Sequence, residues 1–322
     1  LYRDMVDSHF NVEGSARWKE TIEDLSHEVI DGFCSDGEVE FLSSFALPIP
    51  ITMITRILGL PLEDINQLHK WSDAWVLPFS GPLSEEKENW VAEQGVEFQN
   101  YILKHVRDRR ENPQDDVISH LAHGIFGDER PLTDSEIVRI IDHLYIGGNE
   151  TTTFALTSGL WILLREDGLY EKILNNRDLV EPFIEEVLRL ESPTQGLYRE
   201  TTQDEEFHGV AIPKGSVIHI RYAAANRDER MFDNPDDVDL ERKNLKRHMA
   251  FSLGEHHCPG SGLSRTEQHI ALNVVLNRLP NLALCKEKND YKHMPGLVLR
   301  SLNELHVTFD PTEPLQANEK VL

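Results

Sequence analysis

The sequence predicts a mainly α protein carrying small β-sheets, and three features of the chain predict it. Apolar residues recur at spacings of three and four through residues 18–33, 90–109, 134–164 and 179–190, the period of helices that bury one face. After Pro193 the period drops to two over residues 206–212 and 216–220, the alternation of half-buried strands. Helical period returns over residues 263–279, and the segment 296–310 reads as a hairpin.

The helix over 135–165 is long for a globular protein. Thr133 opens it, with Glu136 three residues on, which is the spacing of a capping box. Such a length predicts a helix that crosses the whole domain. Pro213-Lys214-Gly215 supplies the turn between the two predicted strands. Residues 226–247 are polar and irregular, with only Pro235 as rigid punctuation, which predicts a long surface loop packed by Phe232 and Val238. No repeat or linker interrupts the chain. The expectation is one domain over residues 1–322, helical to about residue 192 and mixed strand and loop from about 193.

Composition narrows the class. With 39% hydrophobic and 27% charged residues among 322, the chain can bury a core. A formal net charge of −24 argues against nucleic acid, whose phosphates need an excess of Lys and Arg on at least one face. No apolar run reaches the roughly 18 residues of a membrane helix, and LYRDMVDSHF has neither the charged nor the apolar region of a leader. Cys34, Cys258 and Cys285 lie far apart without a CxxC pair, which predicts a reducing, cytoplasmic setting. The first residue is Leu1, inside what reads as a helix, so an N-terminal part is expected to lie outside this chain.

Three segments carry chemistry. In Phe251-Ser252-Leu253-Gly254-Glu255-His256-His257-Cys258-Pro259-Gly260 a cysteine stands directly before a helix, where the dipole and free backbone donors favour a thiolate able to ligate iron. Taken alone, a single cysteine is more often a buried, inert thiol. Zinc is disfavoured, because neighbouring side chains diverge and no second ligand pair sits at zinc spacing. In Ile146-Gly147-Gly148-Asn149-Glu150-Thr151-Thr152-Thr153 two glycines cost the long helix about 1 kcal/mol each. They mark either a kink beside a ligand, where Glu150 and Thr151 would pass protons, or a close helix crossing. In Glu186-Val187-Leu188-Arg189 an acid and a base share a helix face, which alone says little.

In order and spacing the three segments resemble the cytochrome P450 family, whose signatures are a glycine-acid-threonine kink in the long I helix, ExxR in the K helix and FxxGxHxCxG before the L helix. The resemblance runs from Leu1 to the C-terminus. Leu58-Gly59-Leu60-Pro61, Phe207-His208-Gly209-Val210 and Asn226-Arg227-Asp228-Glu229 look most like its soluble bacterial members, camphor hydroxylase among them. The resemblance implies a cytochrome P450 fold that begins inside the C helix and lacks the family's N-terminal helices and strands. It implies a haem b monooxygenase that uses O2, with Cys258 as the iron ligand and Glu150 and Thr151 as the acid-alcohol pair delivering protons. Arg3, Arg199 and His256 match the haem-propionate partners. Gly147, Gly148, Ala250, Phe251, Ser252, Pro259, Gly260 and Ser264 are implied to lie against the haem, with Phe251 on the thiolate side. Glu186 and Arg189 are implied to hold the fold. His143, Leu144, Ile146, Gly147, Gln195, Leu197 and Val298 match pocket positions. They suit a small hydrophobic substrate such as a terpenoid or aromatic, with His143 and Gln195 for one polar group.

The chain departs from the family pattern in three places. Ser252 stands where glycine is usual. Asp237 takes the loop position where an arginine often completes the ExxR pair, leaving Arg242 as its substitute. Pro259 has no N–H, which removes one donor to the sulfur and predicts a more electron-rich thiolate. No flavin or iron-sulfur pattern occurs, and three cysteines fall short of the four of a usual cluster, so the implied electron source is a ferredoxin-type partner with its reductase. The stretch Arg242-Lys243-Asn244-Leu245-Lys246-Arg247-His248 is locally basic, either a dock for such an acidic partner or a solvated loop. Two other functions stay open: a peroxide-driven enzyme, suggested by Pro259, and a haem protein that senses or stores ligand without turnover.

Overall fold

The computed structural model describes residues 2–127 and 130–315; Leu1 lies outside them. The helix Asp134–Arg165 runs through the middle of the molecule. Its start closes the predicted capping box: Thr133 Oγ accepts from the Glu136 N–H at 3.3 Å, and Glu136 Oε2 accepts from the Thr133 N–H at 2.8 Å. From Thr152 to Leu163 every residue of it is buried, because other elements pack against all its faces there. Helices Pro48–Leu58 and Glu85–Glu111 cover its N-terminal half, and Val180–Glu191 and Ser261–Arg278 pack near its C-terminal half. Gly148 permits the first of these crossings, since a Cβ there would meet Ile54 Cδ1 at 3.0 Å.

The helices read from periodicity at 18–33, 90–109, 179–190 and 263–279 form as Lys19–Asp31, Glu85–Glu111, Val180–Glu191 and Ser261–Arg278. The loop over 226–247 is present, with Phe232 buried and Val238 packed on the core.

The strands form differently from the expectation. Residues 206–212 are not one strand: Glu205–Phe207 and Val210–Ile212 pair with each other as a hairpin. His208 and Gly209, at φ +52° and +79°, make the turn; two successive left-handed residues are what a tight two-residue hairpin requires. Pro213-Lys214-Gly215 does turn the chain, but it leads out of that hairpin into Val217–Ile220, which pairs with Leu197–Glu200 instead. The closing segment 296–310 does not fold on itself as a hairpin: Leu299 bridges to Thr194, and Leu302 and His306–Thr308 pair with partners before the segment. His293 and Leu302 bridge locally, whereas His306–Thr308 lies between Glu38–Glu40 and Ala283–Leu284 in a three-stranded antiparallel sheet. The chain end is thereby tied to its front, with Val39 opposite Val307 and both buried.

One side chain works against the packing. Glu267, on Ser261–Arg278, is 1% exposed, and burial pushes its carboxyl up to about 8. Below its ordinary value of 4.5 both folded and unfolded states are protonated; between there and about 8 the unfolded state ionises first, so native stability falls as pH rises. Glu267→Gln is expected to raise stability at pH 7 by about 3 kcal/mol and to change little near pH 4. Urea denaturation at the two pH values checks this.

Candidate active site

The site starts from the two faces of the long helix. His143, Gly147 and Thr151, spaced four apart, fall on its open stripe beside Leu144. A Cβ built at Gly147 has no atom within 4 Å, so the two glycines have different reasons: Gly147 keeps space open, and Gly148 allows the helix crossing. The chain stays helical through both. Thr151 Oγ donates to the Gly147 carbonyl at 2.8 Å, which sets the hydroxyl at the edge of that space. Glu150 points the other way. It is buried, and its Oε1 accepts from Ser72 Oγ at 2.9 Å and from Asn149 Nδ2 at 3.2 Å. Burial holds its carboxyl above the usual range, against the Ser72 bond. Ile146 follows Glu150 inward and is core, 4% exposed, because a residue one position from Gly147 is turned about 100° from the open stripe.

The cysteine loop is closed by its own backbone. The Cys258 N–H donates to the Phe251 carbonyl at 2.8 Å and the His257 N–H to the Gly254 carbonyl at 3.0 Å. Ser252 takes φ +60°, the left-handed conformation that explains why glycine suits the position. Its Oγ accepts from the Tyr222 hydroxyl at 3.1 Å. Helix Ser261–Arg278 begins three residues after the thiol. Burial pushes the Cys258 thiol up, while the N–H groups of Gly260 and Ser261 and the guanidiniums of Arg3 and Arg265 act in the opposite direction. Arg3 grips the loop from outside through the carbonyls of His257 and, at 3.3 Å, Glu255. Arg265 lies over the Phe251 ring, 4.5 Å from its centroid.

Arg265 and its partners escaped the sequence reading. Glu185 binds Arg265 at 2.5 and 3.0 Å and the His248 Nε2 at 2.9 Å, joining Val180–Glu191, the loop and Ser261–Arg278. Burial acts upward on Glu185, but His248 and Arg265 hold it at about 2. The only sequence signal was an acid next to the ExxR glutamate. Ser72 and Asn149, the partners of Glu150, gave none, since Ser72 lies 78 residues from Glu150.

The ExxR pair forms as expected, and Arg242 joins it. Arg189 makes a fork on Glu186 at 2.6 and 2.8 Å, and Arg242 Nε reaches Glu186 Oε1 at 3.1 Å. Asp237 contributes its backbone carbonyl, which accepts from Arg189 at 3.0 Å and Arg242 at 3.3 Å.

The other predicted residues spread. Ser264 Oγ is 3.0 Å from Thr152 Oγ and accepts from Gln268, linking the cysteine helix to the long helix beside Thr151. Among the described residues the Arg199 side chain makes one hydrogen bond, to the Tyr198 carbonyl, and the His256 side chain makes none. Gln195 turns its amide nitrogen to the carbonyls of Glu191 and Ser192, capping a helix end rather than facing a pocket. Leu197 is exposed, Val298 is buried in the core, and Ala250 and Phe251 pack on the core's edge. The basic stretch is less basic at the surface than in sequence: Arg242 and His248 turn inward to Glu186 and Glu185, and Lys246 pairs with Glu181 at 2.7 Å. No helix among the described residues is long and apolar enough to cross a membrane.

Comparison with known proteins matches the cytochrome P450 family model to residues 51–306. The chain is 31% identical over 315 residues to a steroid C26-monooxygenase of Mycobacterium tuberculosis, covering 98% of this chain and 84% of that one. It is 31% identical to the polyketide biosynthesis cytochrome P450 PksS of Bacillus subtilis, over 95% of this chain and 74% of that one. Among solved structures it is similar to P450BioI in complex with a hexadec-9Z-enoic acid ligated acyl carrier protein, with a TM-score of 0.90, 32% identity, and coverage of 96% of this chain and 78% of that one.

The charge cluster at Glu186 makes an ordered prediction. Glu186→Gln leaves two buried guanidiniums without their counter-charge and is expected to cost about 3–5 kcal/mol. Arg242→Ala leaves Glu186 still paired and is expected to cost about 2–3 kcal/mol. Urea denaturation of both variants checks the order.

Proposed function

The chain belongs to the cytochrome P450 family and is a haem b enzyme of the monooxygenase type, and we propose that it inserts one oxygen atom of O2 into an apolar substrate with electrons from a ferredoxin-type partner and its reductase. The observation that carries this reading is the pairing of a thiol fed by helix-start N–H groups with an open turn at Gly147 and Thr151.

The residues fit the cofactor. Cys258 meets backbone donors of the kind that steady a thiolate ligand, and Gly147 has no neighbour where a Cβ would stand. Arg199 and His256 have donors to spare for carboxylates such as the propionates, and Arg3 borders the same loop. When bound, the haem supplies the activation of dioxygen. This chain's own part is to hold the ligand sulfur, to keep the open stripe free, and to provide protons. Thr151 Oγ presents a hydroxyl at that stripe, and Glu150, kept protonated further up the pH scale by burial, is the reserve behind it. Pro259 favours a second reading, a peroxide-driven enzyme, which the intact Glu150-Thr151 pair opposes.

His143, Leu144, Gly147 and Leu197 are predicted pocket residues that remain accessible, and they suit a terpenoid or aromatic substrate. A relative named for a steroid fits the terpenoid side of that class. For the electron donor, Lys243 and Arg247 are exposed and make no ion pair among the described residues, beside a recess lined by Glu181, Pro182 and Leu245. An acidic protein is the complement of such a rim. The expected setting is cytoplasmic.

The reduced, carbon monoxide-treated protein is expected to show the red-shifted Soret band that names the family, and Cys258→Ser to lose it; an unshifted band in the parent would overturn the thiolate ligand. Reversing Lys243 and Arg247 to Glu is expected to slow reduction by a ferredoxin about tenfold and to flatten its salt dependence, as stopped-flow reduction would record.

A further inference from the structure

A small cavity in the core behind the site has no part in the reading above. Four elements wall it: the long helix at Leu156 and Gly159, helix Val180–Glu191 at Val187, helix Ser261–Arg278 at Val275, and the turn Leu42–Ala46 with Phe45. It leaves about 20 Å³ for the centre of a water-sized sphere. That exceeds the roughly 10–15 Å³ that one water needs, and it is too little for an organic substrate. Every residue that lines it is buried. The lining is apolar except for Gln268, whose Nε2 is already committed to the Ser264 carbonyl and hydroxyl, both at 3.1 Å. An ordered water asks for about two to four polar partners, so this space suits an apolar guest.

Nothing in the packing requires glycine at 159. A Cβ there would meet only the methyls of Val187, at the ordinary contact distances of 3.8 and 3.9 Å, whereas one at Gly148 would press on Ile54. Alanine is also more stable than glycine inside a helix. It would fill part of a void whose lining forgoes dispersion contacts. What Gly159 keeps is the space itself.

The cavity sits one helical turn from the site. Leu156 follows Thr152 by four residues, Gln268 follows Ser264 by four, and the Thr152 and Ser264 hydroxyls meet at 3.0 Å. On the near side of that contact stand Thr151, at the open stripe, and the start of the helix that follows Cys258. The separation is one pitch, about 5.4 Å.

We propose that this cavity is a binding site for dioxygen, held in apolar surroundings one turn from the site that consumes it. Of the reactants in the proposed reaction, dioxygen alone is both apolar and small enough to enter. Binding is reversible and non-covalent; no bond forms and no electrons move. The use of the gas in turnover rests on the O2-dependent reading above, whereas its binding does not. A peroxide-driven enzyme would gain nothing from the site.

The probe is xenon, an apolar atom that is easily located in electron density, applied under pressure to crystals of the haem-loaded protein. The parent is expected to show a xenon peak between Gly159, Val187 and Val275. Gly159→Ala and Val275→Ile, which fill the space from different walls, are each expected to lose it. In stopped-flow mixing of the reduced protein with dioxygen, both variants should bind the gas about two- to threefold more slowly, because the local supply is gone. Gly159→Ala should also resist urea better than the parent, and a lower stability would refute the reason given for that glycine. A parent cavity without xenon at saturating pressure overturns the site. Association rates equal to the parent's in both variants overturn its use as a supply. A reduced parent that binds no dioxygen overturns instead the O2-dependent reading, and with it that use, while the xenon result still decides the cavity.

Discussion

The buried cluster of Glu186, Arg189 and Arg242 governs the geometry of the site. Glu186 and Arg189 lie on one helix turn, but Arg189 also donates to the carbonyls of Asn226 and Asp237, and Arg242 to that of Asp233. The loop over 226–247 has no strand or helix of its own beyond a single turn at Leu245–Arg247, so these charge-assisted bonds are what shape it. That loop leads directly into the cysteine segment. A buried ion cluster is weak as a source of net stability, since desolvation offsets much of the attraction. Its value here is directional: guanidinium forks define where the backbone carbonyls must sit.

Glu185 extends the same helix's reach to the far side of the loop. Through His248 and Arg265 it ties the loop's end to the helix that starts after Cys258, and Arg265 in turn covers Phe251. Adjacent acids of one helix thus hold the entry and the exit of the segment that presents the thiol. The long helix closes the other side, linked to the cysteine helix by Thr152 and Ser264. Sequence neighbours Glu150 and Thr151 divide between its faces, so the acid is stored in a buried polar layer while the hydroxyl borders open space.

Much of this was legible in the chain because it is local. A capping box is an i, i+3 matter, and the helices announce themselves by a period that any buried face must keep. The sheets were less so. His208-Gly209 carried a turn signal in its glycine, but the alternation around it read as one strand, and strand partners such as Leu197–Glu200 with Val217–Ile220 are chosen by long-range packing. Among site residues, Thr151 borders the open stripe and Glu186 pairs with Arg189, both contacts within one helix, while Ile146 and Val298 are buried in the core and Gln195 turns to the carbonyls of Glu191 and Ser192.

By itself the sequence determined the helical class, the family and the residues of its motifs, because each depends on spacings of a few residues along one element. Arg242 was already named from the chain as the third member of the Glu186 cluster, but only the tertiary structure decided that Asp237 serves there through its carbonyl. It alone gave the two glycines different purposes and turned Glu150 toward Ser72. Those outcomes depend on which side chains meet across elements far apart in the chain, and a helix's periodicity states which face is buried but not what it is buried against.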